Sequence, residues 1–399
     1  MSSSTLPTAV DPAIERPADP ALPAPPAAPT PRPRGALGVA RAALIGAVGT
    51  ARYQQLHTFR WASTQRGELG APLPLAFKLD AWRRGFHARY AAIYDPAGLA
   101  RGEYVSDYLR DHRCAFINPV PPLFNHKLLL RRILADRGFA QPETLALVSH
   151  REVIADPMGE ARRVSAAALE ARLVAEGGRY ILKPQVGAFG TSVVLLEVRD
   201  GRLVARRGRT VRPFSLARDA RPVSLLERAV EPHPFWHALS PASVNTLRIL
   251  ALWTPGDAEP FLARAIQRIG TEETLPTDNW SGGGVCVPVD LDTGRLGTGR
   301  VYRFESDYAD RPYTHHPDTH APITGLVLPD WERIKAVVLA ATRSLPYANY
   351  IGWDVAVDAG GTPVFIEGNH NTGVKMLQAH GGLLADPAIR RFYEVCGVL

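Results

Sequence analysis

Gly352-Trp353-Asp354-Val355-Ala356-Val357-Asp358-Ala359-Gly360-Gly361-Thr362-Pro363-Val364-Phe365-Ile366-Glu367-Gly368-Asn369 decides the fold. Both arms alternate apolar and polar residues, the period of a half-buried strand. Gly-Gly between them is a strong two-residue hairpin signal. With Gly360 and Gly361 at the turn, residue 359 pairs with 362, and Asp354 falls opposite Glu367 on one face. Their Cβ atoms would lie about 5 Å apart, and Asn369 follows two residues along the same face. Facing carboxylates destabilise a sheet unless a cation sits between them. Two carboxylates and an amide oxygen therefore read as a hard-metal site, Mg²⁺ or Mn²⁺. The other reading is a polar face on an exposed edge hairpin, whose register a one-residue bulge would break.

The remaining composition bounds the class. A chain of 399 residues, 46% hydrophobic and 21% charged, can hold two or three subdomains and a sizeable core. Cys114, Cys286 and Cys396 show no metal or redox spacing, so a reducing, cytoplasmic setting is expected. The net charge of +7 is spread along the chain, without a basic run interleaved with aromatics or a nucleic-acid module. Nucleic acid is therefore not an expected partner, and anionic small molecules such as nucleotide phosphates explain the excess at least as well. Of 46 basic residues only Lys78, Lys127, Lys183, Lys335 and Lys375 are lysine. Each matters, because lysine's compact ammonium and arginine's planar fork bind phosphate differently.

Residues 1–34 are rich in Pro, Ala and Ser and read as a disordered tail. Gly35 to Gly49 is apolar but broken by Arg41, too short to span a bilayer. It reads as a packing or surface helix, with a membrane-surface helix as the lesser option. Residues 35–120 form a mostly helical N-terminal region. Asn125-His126-Lys127 opens a helix through Leu128, Leu129, Ile133 and Leu134, with Gly138 as its stop. Gln141 to Leu145 turns into a strand, and a polar helix covers 164–176. Strands fit 180–183, 192–196, 223–227, 245–253 and 261–269, and a helix fits 330–345. No internal repeat is present.

Lys183 ends a buried strand and enters the loop Gln185-Val186-Gly187-Ala188-Phe189-Gly190-Thr191. Glycines let a backbone approach phosphate closely, and a lysine beside them neutralises it. A strand rather than a helix follows, so the loop is a hairpin tip and not a Walker motif. Leu225-Leu226-Glu227-Arg228-Ala229-Val230-Glu231 has the look of a strand leading into a hinge.

Taken in order, these pieces resemble the ATP-grasp superfamily: a lysine on a helix, Lys-Pro with a glycine loop, a glutamate-bearing hinge, then Asp and Glu-x-Asn. Within it the chain is most similar to the sugar-transfer-associated, alpha-L-glutamate-ligase-related branch. That similarity rests on Asn245-Thr246-Leu247-Arg248, Asn279-Trp280-Ser281-Gly282-Gly283-Gly284, His316-Pro317-Asp318-Thr319 and Glu367-Gly368-Asn369, and covers roughly residues 120–399. The resemblance implies an α+β ATP-grasp fold in which two α+β subdomains, 121–225 and 226–399, clasp ATP behind the helical N-terminal region. It implies that Lys127 and Lys183 contact the phosphates and that Gly187, Gly190, Thr191 and Ser192 belong to a mobile lid. Glu227 to Val230 would form the adenine hinge, with Glu231 on the ribose. Asp354, Glu367 and Asn369 would hold the metals, and Arg264 or Arg268, with Asn279, would lie near an acyl phosphate. D-alanine–D-alanine ligases carry an arginine where this chain has Gly352. The charge it would neutralise falls here to Arg248, Arg264 or Lys375.

The activity so implied is an ATP-dependent ligase joining a carboxylate to an amine through an acyl phosphate, in modification of a sugar, polysaccharide or peptide. A small-molecule kinase and a non-catalytic ATP-binding scaffold are the alternatives. His315, His316 and His320 include an i, i+4 pair, but Pro317 and Pro322 argue for a polar loop lining the cleft rather than a zinc-binding helix. Ser243 and Ser281 lack the context of a hydrolase nucleophile.

Overall fold

The alternating stretches assemble into two antiparallel sheets. The computed structural model describes residues 72–149, 152–186, 193–220, 223–241, 243–302 and 312–399, all in a unit spanning 59–399. The tail, the apolar segment after it and the loop 187–192, with Gly187, Gly190, Thr191 and Ser192, lie outside the described residues.

The first sheet contains β1 (Thr144–Val148), β2 (Val153–Ala155), β3 (Arg162–Val164), β4 (Arg179–Pro184), β5 (Val194–Arg199), β6 (Arg202–Arg207), β7 (Thr210–Pro213) and β8 (Ser224–Arg228). Their order is β3-β2-β1-β8-β4-β5-β6-β7. The second holds β9 (Leu247–Leu252), β10 (Phe261–Ile269), β11 (Val285–Val289), β12 (Gly299–Val301), β13 (Pro312–Tyr313), β14 (Tyr350–Val357) and β15 (Pro363–Asn369), in the order β13-β12-β11-β10-β9-β14-β15.

Helices segregate onto these sheets, the α+β arrangement. The N-terminal ones are α1 (Leu75–Arg83), α2 (Ala88–Ala91), α3 (Pro96–Ala100) and α4 (Asp107–His112). Then come α5 (Pro122–Asn125), α6 (Lys127–Asp136), α7 (Ala166–Glu176), α8 (Leu216–Asp219), α9 (Pro234–Leu239), α10 (Trp331–Arg343), α11 (Val374–Leu377) and α12 (Pro387–Val395). Leu169 and Leu173 of α7 pack with Leu145, Leu182 and Leu196 beneath the first sheet. Ile334 and Val338 of α10 join Ile249, Val287, Trp353 and Phe365 on one face of the second. Its other face packs Leu250, Ile266 and Tyr350 against Leu377, Phe392 and Tyr393.

This double covering corrects the half-buried strand expected for 352–358: every residue of β14 is buried. The N-terminal region helps to cover it. Asn118 donates to the Tyr350 carbonyl at 2.7 Å and accepts from the Tyr350 N–H at 3.0 Å. Gln378 exchanges hydrogen bonds with the backbone of Val105 at 2.7 and 3.0 Å.

The hairpin turn is also corrected. Asp358 N–H bonds the Thr362 carbonyl and Gly361 N–H bonds that of Asp358, so the loop is Ala359-Gly360-Gly361, with Gly361 at φ +79°. Three-residue loops of this kind end in a left-handed residue that only glycine adopts without strain. The longer loop shifts the register by one, pairing Val355 with Phe365. A bulge at Ile366 then shifts it back, and Asp354 still faces Glu367.

Candidate active site

The bulge does more than restore register. Ile366, unpaired in the ladder, offers its carbonyl to Arg131 Nη2 at 3.3 Å and Lys183 Nζ at 3.5 Å. One residue on, Glu367 Oε1 meets Lys127 Nζ at 3.0 Å. A cation from α6 and one from β4 thus converge on consecutive residues of β15.

Gln185 couples those two lysines. It lies two residues beyond Lys183, its carbonyl accepts from Lys127 N–H at 3.3 Å, and its amide nitrogen contacts the His126 ring at 3.0 Å. His126 caps α6 by accepting from Leu129 N–H at 3.3 Å. Asn125-His126-Lys127 therefore opens the helix as expected, with the imidazole as cap.

Glu227 of β8 is buried between Lys183 Nζ at 3.0 Å and Arg131 Nη2 at 2.7 Å. The arginine approaches obliquely, as an ion pair rather than a hydrogen bond. Burial, with the Arg131 charge beside it, brings the Lys183 ammonium down to about 8, against the pull of Glu227 and Glu367. Beyond Glu227, Val230 is half-buried, while Glu231 is exposed and paired with Arg179 at 2.7 Å.

Asp354 is clamped by arginines. Arg248 reaches its two oxygens at 2.5 and 2.9 Å, and Arg268 reaches Oδ2 at 3.1 Å. Burial opposes the Asp354 charge, but the two guanidiniums outweigh it and hold the carboxyl below its ordinary range. Arg268 also pairs with Asp278, which accepts from both N–H and Oγ1 of Thr246 at 2.6 Å. Arg248 donates further to Thr372 Oγ1 at 2.8 Å. The ideal Cβ position at Gly352 lies 2.5 Å from the Thr372 side chain, so an arginine could not stand there with Thr372 in place.

Other expected site residues are placed elsewhere. Arg264 is half-buried and donates to the Gly382 carbonyl at 3.5 Å, apart from the Asp354 clamp. Asn279 starts the 3₁₀ turn Trp280–Gly282, its Oδ1 accepting from Ser281 N–H at 3.4 Å. His316 does not line a cleft, because it is buried. Its Nδ1 accepts from the N–H groups of Asp318 and Thr319, so Nε2 carries the proton and donates to the Gly270 carbonyl at 2.9 Å. Ser243 is buried with its hydroxyl on Asn245 Oδ1 at 2.6 Å.

Sequence reasoning missed Arg131, Gln185, Asp278 and Thr372. Arg131 stands four residues after Lys127, hence on the same helix face, and Asp278 directly precedes Asn279. Both signals were readable.

As a cation site, the hairpin supplies hard donors. Among the described residues no group of three His, Cys, Asp or Glu side chains is arranged to hold a metal. The candidate set is instead Asp354, Glu367 and the Asn369 amide. Asn369 Nδ2 donates to the Gly352 carbonyl at 3.3 Å, so its oxygen is the atom that would face a cation. Such a set fits Mg²⁺ rather than a softer metal.

The description of sugar-transfer associated ATP-grasp proteins matches residues 114–388, more than half of the chain. The chain belongs to that family. No curated protein matches it in sequence. Among solved structures, this ATP-grasp chain is similar to the ATP-grasp ligase PsnB, complexed with minimal precursor, Mg and ADP. The identity is 12%, the coverage 70% of this chain and 61% of that one, and the TM-score 0.35. The L-amino acid ligase from Bacillus licheniformis gives 13% identity, 64% and 42% coverage and a TM-score of 0.34. For the VanG D-Ala:D-Ser ligase from Enterococcus faecalis the values are 12%, 72%, 64% and 0.35. This chain spans about three fifths of the length of PsnB.

Proposed function

We propose that this ATP-grasp protein is an ATP-dependent ligase that joins a carboxylate to an amine, with sugar, polysaccharide or peptide modification as its setting. The observation that carries the reading is the meeting of Lys127 and Lys183 with the Ile366–Glu367 segment, next to the clamped Asp354. Two ammonium groups from separate elements sit where a triphosphate would need neutralising, beside carboxylates suited to its counter-ions.

A carboxylate is a poor electrophile. Transfer of the γ-phosphoryl group to it gives an acyl phosphate, and attack by an amine then releases phosphate and leaves an amide. Positioning and charge stabilisation suffice for such a sequence, without a protein nucleophile. Lys127 and Lys183 would hold the phosphates, and Arg248 and Arg268 would offset charge on the transferring group. Asp354, Glu367 and Asn369 would hold Mg²⁺, which would supply positive charge to offset that of the phosphates.

The test is product analysis with ATP, Mg²⁺, a panel of carboxylic acids and pooled amines. The ligase reading requires ADP, free phosphate and an amide in equal amounts. A phosphoester without free phosphate would replace it with a kinase, and no turnover would overturn it.

A further inference from the structure

The N-terminal helices bring a tyrosine to the only lysine on α11. Lys375 Nζ lies 4.6 Å from the centre of the Tyr90 ring and 5.5 Å from that of Tyr302. It also contacts Tyr90 Oη at 3.3 Å. The two rings are 5.9 Å apart and tilted, and Trp280 stands 5.0 Å behind Tyr302. Tyr90 comes from α2, Tyr302 directly follows β12 and Lys375 comes from α11, so three separate segments build one aromatic-walled cation.

Among the described residues no carboxylate forms an ion pair with this ammonium. Its hydrogen bond goes to a phenol, and among the described residues Arg89 and Arg110 add positive charge nearby, opposed by Asp107. Burial draws the Lys375 ammonium below its ordinary value. A cation–π contact holds the ammonium in place but neutralises no charge. A half-buried cation so placed is better stabilised by an anion.

The position suits a substrate. Lys375 is three residues beyond Thr372, which binds Arg248 of the Asp354 clamp, and six beyond Asn369. An acid anchored here lies on the segment that leaves the candidate phosphate site.

We propose that Lys375, with the rings of Tyr90 and Tyr302, recognises the carboxylic acid substrate. The ammonium pairs with a carboxylate and the rings take the C–H face of its carbon skeleton. The N-terminal region thereby becomes one wall of the substrate site. This inference rests on the ligase reading for the identity of its ligand, but binding alone tests it.

The experiment uses the full chain with Mg²⁺ and ADP, and titrates L-glutamate, D-glucuronate and malonate separately by calorimetry and thermal shift. At least one acid should bind the wild type. Lys375→Met, which keeps the apolar stem, and Lys375→Gln should each weaken that acid at least 10-fold while leaving ADP affinity unchanged. Tyr90→Ala should weaken it several-fold, and Lys375→Arg should restore part of the loss. The proposal is overturned if both neutral variants bind the acid as the wild type does, if they lose ADP in equal measure, or if the wild type binds none of the three. Acid binding without amide formation would sink the ligase reading and leave this subsite standing.

Discussion

Asp354 and Glu367 face each other across the β14–β15 ladder, yet their charges are met by different cations. Asp354 is buried against Arg248 and Arg268, whereas Glu367 meets Lys127 with a quarter of its side chain exposed. The two carboxylates should therefore respond differently to neutralisation.

Asp354→Asn leaves two buried guanidiniums short of a partner and should lower unfolding stability by about 3–5 kcal/mol. Glu367→Gln disturbs a less buried pair and leaves Lys127 an amide oxygen to bond, so it should cost less than that. Both should reduce Mg²⁺-dependent ATP turnover by orders of magnitude, since each removes an anionic donor. Denaturant titration of the two variants checks the difference. Equal stability losses would mean that the arginine clamp does not hold Asp354 as described.

Lys183 sets a pH dependence. Its folded value of about 8 lies below the ordinary 10.5. Charged lysine is thus disfavoured in the fold, and this penalty, full below pH 8, fades as pH rises through the interval between those values. ATP binding runs the opposite way, because the ammonium that would meet phosphate is lost above about pH 8. The value of kcat/KM for ATP, which reports the free enzyme, should fall with an alkaline limb near that pH. Glu227→Gln removes an anion that favours the charged lysine and should move the limb to lower pH. Lys183→Arg should abolish the limb but also slow turnover, because a planar guanidinium does not replace a compact ammonium. A flat profile to pH 10 in the wild type would exclude Lys183 from the phosphate site.

Gly352 is held by Thr372. A Cβ at 352 would stand 2.5 Å from Thr372 Cβ and Oγ1, so Gly352→Ala should displace the Thr372 side chain and with it a partner of Arg248. The expected cost is about 1–3 kcal/mol, with loss of turnover. Adding Thr372→Gly should recover stability without restoring activity, since the Arg248 contact is still missing. Recovery of both would show that Thr372 only fills space.

Much of this arrangement was legible in the chain. Alternation in 352–358 and 362–369 gave the strands and their facing carboxylates, and Asn125-His126-Lys127 gave the start of α6. Two compensating errors hid the path to the right pairing. Ala359-Gly360-Gly361 permits a two- or three-residue loop, and Ile366 carries no mark of a bulge. The arginine clamp was not legible because its members are 86 and 106 residues from Asp354, and only the folded sheet brings them together. The same holds for Tyr90 and Lys375, 285 residues apart.

Asp278 offers the sharpest test of whether the clamp serves chemistry or packing. It is buried, accepts both hydrogen bonds of Thr246 and pairs with Arg268, which in turn holds Asp354. Asp278→Asn keeps the shape and an oxygen for Thr246, but presents an N–H₂ group to the Arg268 guanidinium. Two donors then face each other, and Arg268 should turn from its place. If Arg268 only fills the sheet face, melting temperature falls while the remaining folded enzyme keeps its kcat. If Arg268 stabilises charge on the transferring phosphoryl group, kcat should drop at least 10-fold with KM for ATP nearly unchanged, the signature of an interaction made chiefly in the transition state. Steady-state kinetics below the melting transition separates the two, and the role proposed for Arg268 at the phosphoryl group requires the second.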